Sequence, residues 1–197
     1  MANLTDSFSV SSGNNVLEEI QCVPDGRDVT VNSGTYTLQN VTGTQTLTDT
    51  YTEVNGSKIN YTPPSGTKYI KYQYNVHIDP VPNSYYGISH YRIYVDGSDV
   101  TEAMKTYAHQ YYSTYGYANQ MMIINYVFDL TATTTDVSSG KFAGWTGAKE
   151  IMVKARRYSG TYAIELNGNI WRCLLYTSDA ADDMQCVDLG GRRIIKK

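Results

Sequence analysis

Charge is sparse in this 197-residue chain: 16 Lys and Arg stand against 19 Asp and Glu, 18% of all residues, for a formal net charge of −3. A non-specific nucleic-acid binder carries a strongly basic footprint, so no nucleic-acid partner is expected. Long apolar runs are missing too. The longest, Met121 to Ile124, spans four residues, where a membrane-crossing helix needs about 20. The first ten residues have neither the basic nor the apolar region of a secretory leader. No membrane insertion and no signal peptide are expected. Cysteine is scarce, with Cys22, Cys173 and Cys186 making three, and two of these fall in a C-terminal stretch with its own explanation.

From Cys173 onward the residues resemble a translated sequencing adapter. Back-translated, Cys173 to Ser178 fits the transposon mosaic end of tagmentation libraries, and Asp179 to Asp182 fits the next adapter segment. Met184 and Gln185 fall where a variable index lies, and Val187 to Ile195 fits the sequence beyond it. Residues 173–197 are therefore set aside from fold reasoning. The expectation is that the natural chain continues past Arg172. With only Cys22 left, neither a disulfide framework nor a cysteine-rich metal site can be built.

What the chain has in abundance is 22 Thr, 19 Tyr, 15 Val and 13 Ile. β-Branched and aromatic side chains suit a pleated, half-buried surface and lose rotamer freedom in helices. Residues 1–40 read as an N-terminal extension. Val16 to Ile20 is expected to form one or two helical turns capped by Asn14 or Asn15. Asp28 to Val31 and Thr35 to Val41, joined through Asn32-Ser33-Gly34, read as a short hairpin. This piece is too small to hold a core of its own and needs a surface to pack on.

Strand signals then come in series. Thr44 to Val54 alternates, Asn55-Gly56 turns the chain, and Lys58 to Tyr61 follows. Lys68 to Asp79 places Ile70, Tyr72, Tyr74, Val76 and Ile78 on one face at period two. Ser89 to Val95 passes through the hairpin dipeptide Asp96-Gly97 into a segment from Val100 to Ser113. There, helix formers such as Glu102, Ala103 and Met104 compete with Tyr107, Tyr111 and Tyr112; we read strand. Gln120 to Leu130 is an apolar strand, and Lys149 to Tyr158 is expected to pair across Ser159-Gly160 with Thr161 to Trp171. About eight strands with turns roughly every 8–14 residues make an all-β, antiparallel sandwich or barrel at residues 41–172.

Catalytic constellations are hard to assemble from this sequence. His77, His90 and His109 lie 13 and 19 residues apart, without the spacings that put two imidazoles on one metal; His77 and Asp79 share a strand face. Cys22 is followed by Val-Pro-Asp-Gly rather than by a helix start that would lower its pKa. Glu102, Asp129, Glu150 and Glu165 sit on different strands, and Asp96 to Asp99 reads as a turn rather than a calcium loop. We expect no catalytic residue, no metal and no cofactor. The tyrosines crowd the middle of the chain. Packing accounts for most of them, while Pro80 to Gly87 and Ser113 to Asn119 would carry Tyr85, Tyr86, Tyr115 and Tyr117 at loop tips as candidate recognition residues.

Several motifs carry a family likeness. They are Asp25-Gly-Arg-Asp-Val-Thr-Val, Ile59-Asn-Tyr-Thr-Pro-Pro-Ser-Gly-Thr67, His90-Tyr-Arg-Ile-Tyr-Val-Asp-Gly97, Ser139-Gly-Lys-Phe-Ala-Gly-Trp-Thr146 and Lys149-Glu-Ile-Met-Val-Lys-Ala-Arg-Arg-Tyr158. Together, over residues 20–172, they resemble virion or tail-fibre-like proteins common in marine viral sequence sets. The resemblance implies a jelly-roll domain similar to the trimeric heads of tumour-necrosis-factor-like proteins, with a further strand after Trp171. It carries over no catalytic residues. The expected role is a virion structural or tail-fibre-like component, made in the host cytoplasm and assembled as a homotrimer, that attaches to a host-surface glycan or protein receptor without catalysis. The competing reading is a carbohydrate-binding module or a glycan-degrading tail enzyme on the same sandwich.

Overall fold

In the computed structural model, which describes residues 16–80, 86–110, 120–161 and 163–167, the Thr-, Tyr- and Ile-rich stretches are strands. No α-helix occurs among the described residues. The strands are β1 (Asp28–Val31), β2 (Gly34–Thr37), β3 (Gln45–Thr46), β4 (Thr52–Glu53), β5 (Ile59–Tyr61), β6 (Tyr69–Pro80), β7 (Tyr86–Val95), β8 (Ser98–Gln110), β9 (Gln120–Asp129), β10 (Lys149–Arg157) and β11 (Ile164–Leu166). One sheet runs β3-β11-β6-β9. The other runs β4-β10-β7-β8, with β5 also on β10, and β1-β2 is a separate hairpin. Every named strand pair is antiparallel. The chain is an all-β sandwich.

Period-two alternation builds its core. Ile70, Tyr72, Tyr74, Val76 and Ile78 of β6 face inward with Ile124 and Phe128 of β9, and meet Tyr91, Ile93 and Val95 of β7 and Ile151, Val153 and Ala155 of β10. Phe128, Phe142 and Trp145 close one end, with ring centroids 4.9–5.9 Å apart. The Asp96-Gly97 turn has φ of 48° and 77°, the doubly left-handed geometry that matches strand twist in a two-residue hairpin. The expected strand from Val100 is confirmed in β8, where packing on β7 overrides local helix propensity. Between Tyr91 and Ile93 the β7–β8 register slips by a bulge.

Two inward tyrosines need hydrogen-bond partners and find them across the sandwich. Tyr72 Oη donates to Ser57 O at 2.5 Å and Tyr74 Oη to Asn55 O at 2.8 Å. Both carbonyls lie in the turn between β4 and β5, so β6 is clasped to the opposite sheet. Ser57 completes the clasp: its buried Oγ accepts from Val153 N at 3.0 Å and donates to Val54 O at 2.6 Å. Ser57→Ala leaves the Val153 N–H without its partner inside the protein. We expect a loss of about 1–3 kcal/mol by urea denaturation; an unchanged midpoint would show that the clasp is dispensable.

Three expectations are corrected. β10 does not pair with the segment after Ser159-Gly160. Both of its edges are already occupied, by β7 on one side and by β4 and β5 on the other, so the returning chain crosses and inserts β11 between β3 and β6. Thr44 to Val54 is likewise not one strand. Leu47 and Val54, both buried, enter the core from opposite sheets, and the chain passes between the sheets at 47–51. Val16 to Ile20 is not helical. A segment this short has little helical stability of its own, and Glu18 instead accepts from Ser33 N (2.8 Å), Ser33 Oγ (2.6 Å) and Tyr61 Oη (3.0 Å). The proposed caps Asn14 and Asn15 lie outside the described residues, as do the further strand expected after Trp171 and the adapter-like segment 173–197.

The expected hairpin is present, and it packs on the sandwich. Tyr36 is buried and donates to Thr62 O at 3.0 Å, and its ring lies 5.5 Å from that of Tyr61.

Candidate functional site

Of the tyrosines expected to recognise a ligand, Tyr85, Tyr115 and Tyr117 lie outside the described residues. Tyr86 opens β7 opposite Gln110, and its side chain also lies outside them. The other candidates can be placed. His77 points away from the core yet is buried, with Nδ1 3.1 Å from Asp79 Oδ2 but not aligned for a hydrogen bond. His90 sits on the opposite sheet, its Nδ1 3.0 Å from Thr106 Oγ1. His109 pairs with Gly87 in the β7–β8 ladder. The side chain of His109 lies outside the described residues, the imidazoles of His77 and His90 stand on opposite sheets, and no cluster of three or more His, Cys, Asp or Glu able to hold a metal occurs among the described residues. Burial pushes the Cys22 thiol above its ordinary range, which makes it a poor nucleophile.

The carboxylates separate as well. Glu102 accepts from Tyr126 Oη at 3.3 Å, Asp129 from Thr131 N at 2.8 Å, and Glu150 lies beside Lys58 at 3.9 Å. One juxtaposition escaped the sequence reading: the β6–β11 register sets Glu165 directly opposite Asp79, two residues from His77. A strand-pairing register is needed to see it, because the two residues are 86 apart in sequence. A hollow of about 380 Å³ lies between Pro63–Thr67 and Gly144–Thr146. Its one aromatic, Trp145, is 6% exposed and spends its Nε1 on Tyr61 O, leaving little ring face for a ligand.

Two outer surfaces remain. On β9, the edge strand of its sheet among the described residues, Met121, Ile123 and Val127 point outward and are 43%, 52% and 54% exposed. Tyr69, on the outward face of neighbouring β6, extends this apolar strip. On the other sheet, the outer face of β10 and β7 carries cations and tyrosines. Lys154 is the cross-strand partner of Arg92, and Arg156 of His90. Arg92 and Arg156 lie 4.9 and 5.4 Å from the centroid of the Tyr51 ring, and Lys154 Nζ lies 4.4 Å from that of Tyr94.

No protein-family model, curated protein or solved structure matches the chain. The functional reading therefore stands on these surfaces. Cation–aromatic contacts were not anticipated from sequence. Tyr51, Arg92 and Arg156 are far apart along the chain, and only the β4-β10-β7 order puts them side by side.

Proposed function

We propose that this sandwich is a virion structural or tail-fibre-like domain that self-associates as a homotrimer and serves attachment to a host-surface glycan or protein. Numbered by position, with β4 and β5 sharing the second place, the strands lie in orders 1-8-3-6 and 2-7-4-5. These orders support reading the sandwich as a jelly roll, which is built from two such Greek keys. The observation that carries the proposal is the apolar strip Met121, Ile123 and Val127 on an edge strand. Edge strands invite pairing and are ordinarily blunted with charge; three exposed apolar side chains on one face of the strand suit coverage by a symmetry mate.

Mass in solution tests this. The full chain is expected to sediment as a trimer at tens of micromolar, and Ile123→Asp with Val127→Asp to give a folded monomer. A wild-type monomer, or a trimer unmoved by the double substitution, rejects the strip as the interface.

A second reading, a glycan-degrading tail component, draws on Asp79 facing Glu165, since glycosidases use a carboxylate pair at defined separation. Glycan depolymerisation abolished by Asp79→Asn and by Glu165→Gln would favour it over the non-catalytic reading.

A further inference from the structure

We propose that the outer face of β10 and β7, centred on Arg156 and Lys154, binds a sugar unit bearing a carboxylate or sulfate. The assignment deepens the attachment reading and rests on it. Register lays the face out as a grid. One row across the sheet holds Arg156, His90 and Thr106, with Tyr51 at its β4 end; the next holds Glu53, Lys154 and Arg92. Lys154 and Arg92 therefore face each other directly across two strands, a placement that is destabilising in a sheet and that is relieved on the Arg92 side alone, by Asp99.

The acidic neighbours are committed elsewhere. Asp99 holds Arg92 at 2.5 Å. The Glu53 carboxylate is drawn away from Lys154 by Lys58 at 3.1 Å and by Gln39 Nε2 at 2.6 Å. Glu150 reaches Lys58 at 3.9 Å. Among the described residues Lys154 and Arg156 have no carboxylate within ion-pair distance and rest only on tyrosine rings and, for Arg156, on the Arg157 carbonyl at 3.5 Å. His90 registers the resulting field: burial, then Arg156 and Arg92, hold its imidazole below the usual histidine range.

The dimensions select the ligand class. Alternate residues on a strand stand about 7 Å apart and neighbouring strands about 5 Å apart, so the free cations match one or two acidic groups on a single sugar unit. An extended phosphate backbone needs a longer track of cations, and the chain's net charge of −3 gives it no general attraction. A guanidinium takes carboxylate or sulfate oxygens in a bidentate fork. Beside it Tyr158, 54% exposed and with its ring 6.1 Å from that of His90, offers an aromatic surface for the apolar face of a pyranose.

Calorimetric titration of the full chain decides the matter, using sialyllactose and a heparin-derived sulfated oligosaccharide, with lactose, inorganic sulfate and single-stranded DNA as comparisons. Binding is expected for the sialylated or sulfated sugar and not for lactose, with a loss of about tenfold or more in Arg156→Ala and a smaller loss in Lys154→Ala. Arg156→Gln, which keeps most of the side-chain length, repeats the loss with less risk to folding, checked by melting temperature. Sugar binding indifferent to all three substitutions rejects this face while leaving attachment intact. Sulfate binding as tightly as the sugars, or DNA bound in preference, rejects the sugar assignment. Failure to bind any glycan, with the trimer preserved, rejects the site and glycan attachment together but not the assembly reading.

Discussion

Above about pH 10 the domain is expected to lose stability steeply and to unfold in one cooperative transition. The cause is its tyrosine core. Tyr72, Tyr74 and Tyr91 are buried, and burial raises the pKa of each, Tyr74 up to about 12 and the other two upward as well. In the unfolded chain a tyrosine ionises near pH 10. These groups therefore contribute their full stabilisation below that pH and lose it as pH rises toward their folded-state values, because only the unfolded chain can release the protons. Each such group lowers stability by about 1.4 kcal/mol per pH unit, and three together by about 4 kcal/mol per unit. Between pH 10 and the folded-state value of Tyr74 near 12 the three remove about 8 kcal/mol, enough to unfold a domain in the lower half of the typical range of about 5–15 kcal/mol. Tyrosinate absorbance and β-sheet circular dichroism should change together. If all tyrosines titrate while the sheet signal persists, these rings are not held in a closed core. Tyr91→Phe removes one ionisable group, with the Ser89 Oγ that donates to Tyr91 Oη at 3.1 Å losing its acceptor, and should move the alkaline midpoint upward relative to the neutral-pH stability of the same variant.

Half of that core is legible in the sequence. Alternation along β6 told which side chains share a face, since period two depends only on the strand being extended. It could not tell what the inward Tyr hydroxyls would meet. Tyr72 and Tyr74 are tolerable inside because the β4–β5 turn offers its carbonyls, an arrangement set by sheet-to-sheet packing. Asp96-Gly97 was legible for a local reason: two consecutive left-handed residues suit few dipeptides, and this is one of them. Partner choice was not. β10 and β11 look like a hairpin until β10 is seen to have both edges filled, and Thr46 and Thr52 look like one strand until Leu47 and Val54 are seen in opposite sheets. The candidate surfaces divide the same way. An apolar strip on β9 is implicit in Met121, Ile123 and Val127, an even number of residues apart and so on one face, whereas the Arg156 face needs three strands side by side. Glu18 carried no signal at all; its role as an acceptor for Ser33 and Tyr61 depends on a hairpin fifteen residues later and a strand beyond it.

Gly56 is where the N-terminal extension and the sandwich meet, and Gly56→Ala is expected to cost about 2–5 kcal/mol. Two terms add. The backbone there has φ of 88°, in the region that L side chains avoid at a cost of about 1–2 kcal/mol. A Cβ would also come within 2.6 Å of Val41 Cγ2 and 2.9 Å of Pro24 Cβ, an overlap of the kind that costs about 1–3 kcal/mol to absorb. The clash involves residues 24 and 41, so the extension must shift on the sandwich or the turn must distort, and the turn also supplies the Asn55 and Ser57 carbonyls that receive Tyr74 and Tyr72. Denaturation of Gly56→Ala in the wild-type and Val41→Ala backgrounds separates the terms. Trimming Val41 removes the tighter contact but not the backbone strain, so the penalty should fall by about 1 kcal/mol or more without vanishing. An equal penalty in both backgrounds would mean that Val41 does not press on this turn in solution.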